Sequence, residues 1–204
     1  MNTISNDPYI YYIDNLLTDD ECDFIIHKSK DKLKKASVSY LEKDKHKFES
    51  NKYTGRTNSS YWLRKDRYPE SHNICKKIAK LLKCDWNHFE DFQVIHYGEN
   101  EKYDYHYDAY NKNDPEKYEK FCKNRGNRKL TVLIYLNDVE EGGGTGFDQL
   151  PNYDDTIIIQ PKKGRIVVFY NINDDGSLNL GTRHAGLPVI KGEKWACNLW
   201  LRER

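Results

Sequence analysis

The spacing of apolar residues changes along this chain of 204 residues, and each change predicts a different kind of element. Residues 8–17 alternate apolar and polar positions, which is typical of a strand. Thr18-Asp19-Asp20-Glu21 then reads as a capping box, in which the Thr18 hydroxyl and the Glu21 carboxylate satisfy backbone donors at a helix start. Apolar residues recur at helical spacing after Glu21 and again from about residue 71 to 83. Two helices are therefore predicted.

After Trp86 the pattern changes to short segments that are rich in β-branched and aromatic residues and are separated by turn residues. Six strands are predicted, at residues 92–97, 103–107, 129–136, 156–160, 165–170 and 195–201. Helices followed by six or more strands favour an α+β fold: a double-stranded β-helix (jelly-roll) core with the N-terminal helices packed on one sheet. We expect one domain over residues 1–204, helical to about residue 90 and jelly roll from about residue 91.

Two polar segments interrupt the regular pattern. Residues 43–60 show no clear periodicity and predict a loop. Residues 111–127 are charged, contain Asp114-Pro115 and look like an insertion between two strands. The length of this insertion is typical of a functional loop or a lid.

The charge and the cysteines narrow the classes of function. Lys plus Arg number 33 and Asp plus Glu 32, so the net charge is +1, which argues against a protein built mainly to bind nucleic acid. No apolar stretch is long enough to span a membrane, and the first residues lack the features of a signal peptide. Five scattered cysteines without a CxxC pair predict free thiols, and hence a cytoplasmic location in a host cell or virion.

The candidate chemistry begins with His106 and Asp108 in Tyr-His-Tyr-Asp. In an extended segment residues two apart face the same side, so both can bind one ion. A third ligand must come from a neighbouring strand, and His184 is the best-placed candidate. Two imidazoles and a carboxylate form the facial triad of non-haem iron oxygenases. The His-x-Asp spacing alone is a weak signal, because it also arises by chance.

Lys194 lies ten residues after His184 and starts another apolar segment. If both side chains point into the same barrel, the buried ammonium needs an anion. Beside an iron(II) ion with open positions, the natural anion is the far carboxylate of 2-oxoglutarate, and the Tyr135 hydroxyl can support it. The alternative is a strand-end lysine in solvent.

Taken together, these motifs resemble the prolyl 4-hydroxylase family of iron(II)- and 2-oxoglutarate-dependent dioxygenases, in its compact viral or algal single-domain form. The resemblance runs through ordered blocks over almost the whole chain, at residues 13–22, 55–59, 93–98, 103–108, 128–143, 161–164, 184–189 and 192–195. The chain departs from the family at Gly143-Gly144-Thr145-Gly146-Phe147, which lacks the acidic residue of the usual Gly-Gly-Glu-Thr.

The resemblance implies a role for each matching position. The implied iron ligands are His106, Asp108 and His184. The implied 2-oxoglutarate residues are Lys194, Tyr135 and Tyr97. The positions that match contacts to the peptidyl proline are Tyr103, Arg128 and Trp200. The alternative for Tyr97, Tyr103 and Trp200 is core packing, and for Arg128 an ion pair at a sheet edge.

The implied activity is hydroxylation of a proline-containing peptide or protein at carbon four of proline, with succinate and carbon dioxide as products. The implied cofactors are iron(II), 2-oxoglutarate, dioxygen and L-ascorbate. Asp108 favours hydroxylation over halogenation, because related halogenases carry a small residue in its place.

Several alternatives remain open from the sequence. The acceptor can be lysine, another side chain or a small molecule. A nucleic-acid demethylase fits less well, given the neutral charge and a lysine in place of an arginine anchor. A non-catalytic peptide-binding module would be expected to lack one of the ligands, and a cupin that uses no 2-oxoglutarate would not need Lys194.

Overall fold

The computed structural model describes residues 1–48 and 55–204. Its α-helices are α1 (Asp19–Ser29), α2 (Lys45–Phe48), α3 (Pro69–Leu82) and α4 (Pro115–Cys122). Its strands are β1 (Asn2–Asn6), β2 (Tyr9–Ile13), β3 (Lys34–Lys35), β4 (Ser59–Leu63), β5 (Phe92–Tyr97), β6 (Tyr103–His106), β7 (Arg128–Tyr135), β8 (Glu141–Gly142), β9 (Thr145–Phe147), β10 (Ile157–Ile159), β11 (Ile166–Tyr170), β12 (His184–Gly186), β13 (Val189–Lys191) and β14 (Lys194–Arg202).

The strands form two main antiparallel sheets. The major sheet has eight strands in the order β1-β2-β11-β7-β14-β5-β4-β3, and the minor sheet has four in the order β10-β9-β12-β6. Strands β13 and β8 form a separate pair. All six strands expected after Trp86 are present, so the double-sheet core with helices packed on it is confirmed.

Alternation along β7 divides the core into two layers. Val132 and Ile134 pack with the buried residues of α1 and α3, whereas Leu133 and Tyr135 pack towards the minor sheet. Successive side chains of a strand point to opposite faces, so one central strand serves both layers. Each fully buried aliphatic side chain contributes roughly 1.5–3 kcal/mol relative to an exposed one.

The start of α1 has the predicted capping box. The backbone N–H of Glu21 donates to the Thr18 hydroxyl at 3.3 Å, and the backbone N–H of Thr18 donates to the Glu21 carboxylate at 2.8 Å. Lys77 of α3 donates to the same carboxylate and to the carbonyl of Leu16. The cap therefore also ties the two helices together.

The N-terminal part of the chain differs from a purely helical segment. Strands β1 and β2 form one edge of the major sheet, and β3 and β4 form the other. The loop predicted for residues 43–60 is wrong at both ends, because it contains α2 and the start of β4. Because Ser59 and Ser60 are polar, the sequence of β4 does not show the apolar alternation that predicts a strand. Its strand conformation depends instead on pairing with β5. Residues 49–54 lie outside the described residues.

The insertion at residues 111–127 contains α4 and is closed at its base by one side chain. The buried amide of Asn127 accepts a hydrogen bond from the backbone N–H of Tyr110 at 2.9 Å and donates to the Tyr110 carbonyl at 2.8 Å. This two-way clamp brings the residues after β6 next to the start of β7. Within the described ranges, no helix has the length and apolar character needed to cross a membrane.

Thr18→Ala should lower the free energy of unfolding by about 1 kcal/mol, since it removes the acceptor for a backbone donor at the start of α1. Urea denaturation of the two proteins measures this difference. Thr156→Ala is the matched control, because Thr156 is exposed in the segment just before β10. An equal loss in both variants would contradict a stabilising role for the cap.

Candidate active site

The register between β6 and β12 places two histidines side by side. His184 is the direct cross-strand partner of His106, and their ring centroids are 4.3 Å apart. A neighbouring strand of the same sheet therefore brings the second imidazole next to the first. Asp108 lies two residues beyond the end of β6, not within the strand as the spacing predicted. One ligand atom from each of these three residues lies within 4.8 Å of the other two.

Each histidine is oriented by a backbone carbonyl. Nδ1 of His106 lies 2.8 Å from the Asp104 carbonyl, and Nδ1 of His184 lies 2.9 Å from the Thr182 carbonyl. Nδ1 must therefore carry the proton, which leaves the lone pair of Nε2 free for a metal. Both Nε2 atoms face Asp108, each 3.7 Å from one of its carboxylate oxygens.

The protonation states suit metal binding. Burial, followed by the neighbouring His184, lowers the pKa of His106, so this imidazole is neutral near pH 7. Burial works to raise the pKa of Asp108, but favourable electrostatic interactions with His184, His106 and Arg128 outweigh it and hold the pKa below its ordinary value. A neutral imidazole and an ionised carboxylate are the forms that bind metals. The donor set therefore fits an iron(II) ion.

A buried cation lies on one side of the three ligands. Lys194 is 2% exposed and opens β14, with β13 between it and His184 in the chain. Its ammonium lies 5.1 Å from the ring centroid of Tyr97 and 5.4 Å from that of Tyr135, and it has no oxygen partner among residues 1–48 and 55–204. Burial lowers its pKa to about 7. Such a site fits a carboxylate ligand, because an anion would restore the charged form.

Lys194 shares a small cavity with both histidines. Its lining also includes Tyr97, Thr145 and Gly186. The Tyr135 hydroxyl contacts a residue that lines this cavity: it lies 2.7 Å from the Thr145 hydroxyl, and it lies 3.1 Å from the Ile159 carbonyl. Burial raises the pKa of both tyrosines, so both remain neutral donors.

A surface groove of about 560 Å³ also reaches the cluster, at His106 and Asp108. Tyr103 lines it and stacks on His106, with ring centroids 3.6 Å apart. The guanidinium of Arg56 lies 4.3 Å from the centroid of the Tyr103 ring. Trp62, which is 44% exposed, and Trp200 line the same groove with their rings 5.8 Å apart. Aromatic side chains therefore supply much of the apolar surface of the groove.

Arg128 and Trp200 form one unit in the wall of this groove. The Arg128 guanidinium lies 3.5 Å from the centroid of the Trp200 ring. Its Nε and Nη2 donate to the two carboxylate oxygens of Glu90 at 2.7 and 2.9 Å, and Arg202 donates to Glu90 as well. Arg128 therefore forms the ion pair that the sequence analysis gave as the alternative, and it also lines the groove. The indole N–H of Trp200 helps to lower the pKa of Asp108, but lies outside hydrogen-bonding geometry with it.

Several residues around the site carried no assigned role in the sequence interpretation. Arg56 and Asn198 line both cavities, and Gln93 lies between them as the acceptor for both side chains, at 3.5 and 3.4 Å. Arg56 stands within one of the blocks that carry the family resemblance, which was the available signal. Thr131 contacts Asp108, and Asn171 contacts Thr131. In the sequence both stand next to apolar strand residues, a pattern that predicts core packing and no role in a site.

Comparison with known proteins gives a consistent result. Residues 92–202 match the 2OG-Fe(II) oxygenase superfamily. The chain is 32% identical to probable prolyl 4-hydroxylase 3 of Arabidopsis thaliana, over 97% of this chain and 70% of that protein. It is also 32% identical to prolyl 4-hydroxylase subunit alpha-1 of Gallus gallus, over 97% of this chain. The chain spans only about a third of that subunit, of which the match covers 36%.

Solved structures extend the similarity to three dimensions. The viral collagen prolyl hydroxylase of Paramecium Bursaria Chlorella virus-1, in its 2OG complex, superposes with a TM-score of 0.71. The two chains are 28% identical, and the match covers 98% of each. The chain therefore belongs to the 2OG-Fe(II) oxygenase superfamily and, within it, to the prolyl 4-hydroxylases.

Proposed function

We propose that this chain hydroxylates proline in a peptide or protein substrate at carbon four, using iron(II), 2-oxoglutarate and dioxygen. One observation carries the proposal: His106 and His184 border a cavity with a buried cation, while His106 and Asp108 border an open aromatic groove. A cosubstrate on one side and a peptide on the other would meet at the same three side chains.

We assign the iron(II) ion to Nε2 of His106, Nε2 of His184 and the carboxylate of Asp108. Iron(II) bound there would activate dioxygen, the oxidant, so that one oxygen atom would enter the substrate and the other would enter succinate as 2-oxoglutarate loses carbon dioxide. The protein contributes fixed ligand geometry and a partly shielded pocket. L-ascorbate would serve as the reductant that keeps the bound iron in the iron(II) state.

We assign the far carboxylate of 2-oxoglutarate to the Lys194 ammonium, with Tyr97 and Tyr135 beside it. The two aromatic faces offset part of the desolvation of the cation, by about 0.5–2 kcal/mol for each close contact. They leave it without a counter-ion, and a dicarboxylate would supply one. The charge of the cosubstrate and the burial of Lys194 therefore support each other.

We assign the substrate proline to the groove beside Tyr103, Arg128 and Trp200. Tyr103 stacks on His106, so a proline that contacts the edge of the Tyr103 ring would be near the proposed iron ligands. Trp200 lines the same groove, and its ring contacts both the Arg128 guanidinium and the Trp62 ring, which supports an apolar contact with the proline ring. Arg128 is held by Glu90 and would act by keeping Trp200 in place.

The five cysteines are free in this structure. Free thiols are usual in a reducing compartment, where iron(II) is also maintained. We propose the cytoplasm as the location on this ground.

The proposed reaction is tested by release of succinate from purified protein with iron(II), ascorbate and 2-oxoglutarate. A proline-rich peptide should stimulate the release, and mass spectrometry should find one added oxygen on proline. The same peptide with alanine for each proline is the matched control. Equal succinate with both peptides would redirect the search to another acceptor, and no succinate from iron-loaded protein would favour a binding module.

His106→Ala, Asp108→Ala and His184→Ala should each reduce iron-dependent turnover to background, because each removes one of three ligands. Iron content after dialysis should fall with it, while far-UV circular dichroism stays that of the parent protein. His27→Ala is the control, since His27 is exposed on α1, away from the cluster. Full turnover in any of the three ligand variants would contradict the assignment.

The affinity for 2-oxoglutarate should depend on pH through Lys194. Below pH about 7 the ammonium is already charged, so affinity should be flat. Above it, binding must take up a proton, and affinity should fall about tenfold per pH unit until the raised pKa of the complex is reached. Calorimetric titration of the metal-loaded protein from pH 6 to 9 measures the slope.

Lys194→Arg is the matched control for this pH dependence. Arginine stays charged throughout the range, so the variant should bind more weakly at low pH but with a much smaller slope. Identical slopes in the two proteins would show that another group, such as a metal ligand, causes the pH dependence.

A further inference from the structure

A pair of buried polar side chains lies beneath the Asp108 carboxylate. The hydroxyl of Thr131, in β7, lies 2.7 Å from Oδ2 of Asp108. The side-chain amide of Asn171, just after β11, lies 2.9 Å from the same hydroxyl oxygen. Both residues are fully buried. The three side chains therefore form a continuous polar chain from the major sheet to the proposed iron ligand.

The direction of these hydrogen bonds follows from the number of protons available. An ionised carboxylate only accepts, and a threonine hydroxyl carries a single proton. The Thr131 proton must therefore point to Oδ2 of Asp108. Its oxygen is then free to accept, and the Asn171 amide donates to it. Asn171 thus prevents the Thr131 hydroxyl from turning away.

This chain makes the two carboxylate oxygens of Asp108 unequal. Oδ1 lies 3.7 Å from Nε2 of His106, and Oδ2 lies 3.7 Å from Nε2 of His184, so distance to the histidines does not distinguish them. The hydrogen bond from Thr131 does, because it occupies a lone pair of Oδ2 and fixes the rotation of the carboxylate. Oδ1 is then the oxygen left to face the ion.

Packing alone does not account for these residue types. The neighbours of Thr131 along β7 are Leu130 and Val132, and valine has nearly the same shape as threonine. Asn171 even leaves its Oδ1 without a hydrogen-bond partner in the described residues. A buried polar atom of this kind costs about 1–3 kcal/mol, which an apolar pair would avoid. The two side chains therefore serve something other than stability.

We propose that Thr131, held in place by Asn171, is a positioning residue that presents Oδ1 of Asp108 to the iron ion. This inference rests on the proposed function, since it assumes the metal site made by His106, Asp108 and His184. Groups that hold a metal ligand in place typically contribute a factor of about 10–100 to metal affinity.

The test is cobalt(II) affinity, followed by visible absorption in the absence of 2-oxoglutarate and dioxygen. Thr131→Val should raise the dissociation constant about 10–100-fold and change the cobalt(II) spectrum. Thr131→Ser keeps the hydroxyl and should bind as the parent protein does, and Asn171→Leu should give an intermediate loss. Ser71→Ala is the matched control, because it removes a buried hydroxyl from α3, remote from Asp108.

The outcomes separate the two proposals. If Asp108→Ala loses cobalt(II) while Thr131→Val and Asn171→Leu both keep parental affinity and spectrum, the positioning role is overturned and the metal site stands. If Asp108→Ala itself binds cobalt(II) normally, the proposed metal site fails first. If Thr131→Val does not fold, Asn171→Leu against Thr131→Ser still decides, since equal affinity in those two would overturn the inference.

Discussion

The antiparallel register of β6 against β12 is the constraint on which the candidate site depends. Side chains alternate between faces along a strand, so a slip of one residue would turn either His106 or His184 away from the other. The core prevents such a slip. Phe147, the partner of His184 on the opposite edge of β12, packs on Phe169, and the Phe169 ring lies 4.8 Å from that of His184. Hydrophobic packing between the sheets thus fixes ligand geometry.

At Lys194, by contrast, the packing of the side chain is unfavourable to its charge. Burying an ammonium between two tyrosine rings without a counter-ion opposes its charged state, and this is why its pKa lies near 7. A lysine at this point of β14 is a local conflict in an otherwise apolar environment, and such conflicts are expected at functional sites. Binding of a dicarboxylate would remove the conflict, so we expect ligand binding to stabilise the protein as well as to prepare it for turnover.

Elements and residues whose signal is local were predicted best from the sequence. The capping box predicted the start of α1, and alternation or β-branched content predicted six of the ten strands after Trp86; the short strands β8, β9, β12 and β13 were missed. The pairing of His106 with His184 followed from strand periodicity once the right neighbour was chosen. Strand β4 was missed because its serines take strand conformation from the partner β5.

The residues around the proposed ligands could not be predicted from the sequence, for a different reason. Thr131 lies in Leu-Thr-Val-Leu-Ile-Tyr, where one hydroxyl among apolar residues carries no sequence signal. Its partner Asn171 is forty residues away, and only the pairing of β7 with β11 brings them together. The position of Arg56 beside the site likewise depends on an isolated backbone pairing with Tyr103, which the periodicity of the sequence does not predict.

The site is assembled from both sheets, which links substrate contact to ligand geometry. His106 and His184 belong to the minor sheet, whereas Lys194 and Thr131 belong to the major sheet. Tyr103 joins the groove to the ligands, because one face of its ring stacks on His106 and the Arg56 guanidinium also packs on the ring. A peptide bound beside Tyr103, as proposed, would therefore contact the same ring that stacks on His106. A shift of that ring would change the packing around His106, which also contacts the His184 ring and the Asp104 carbonyl.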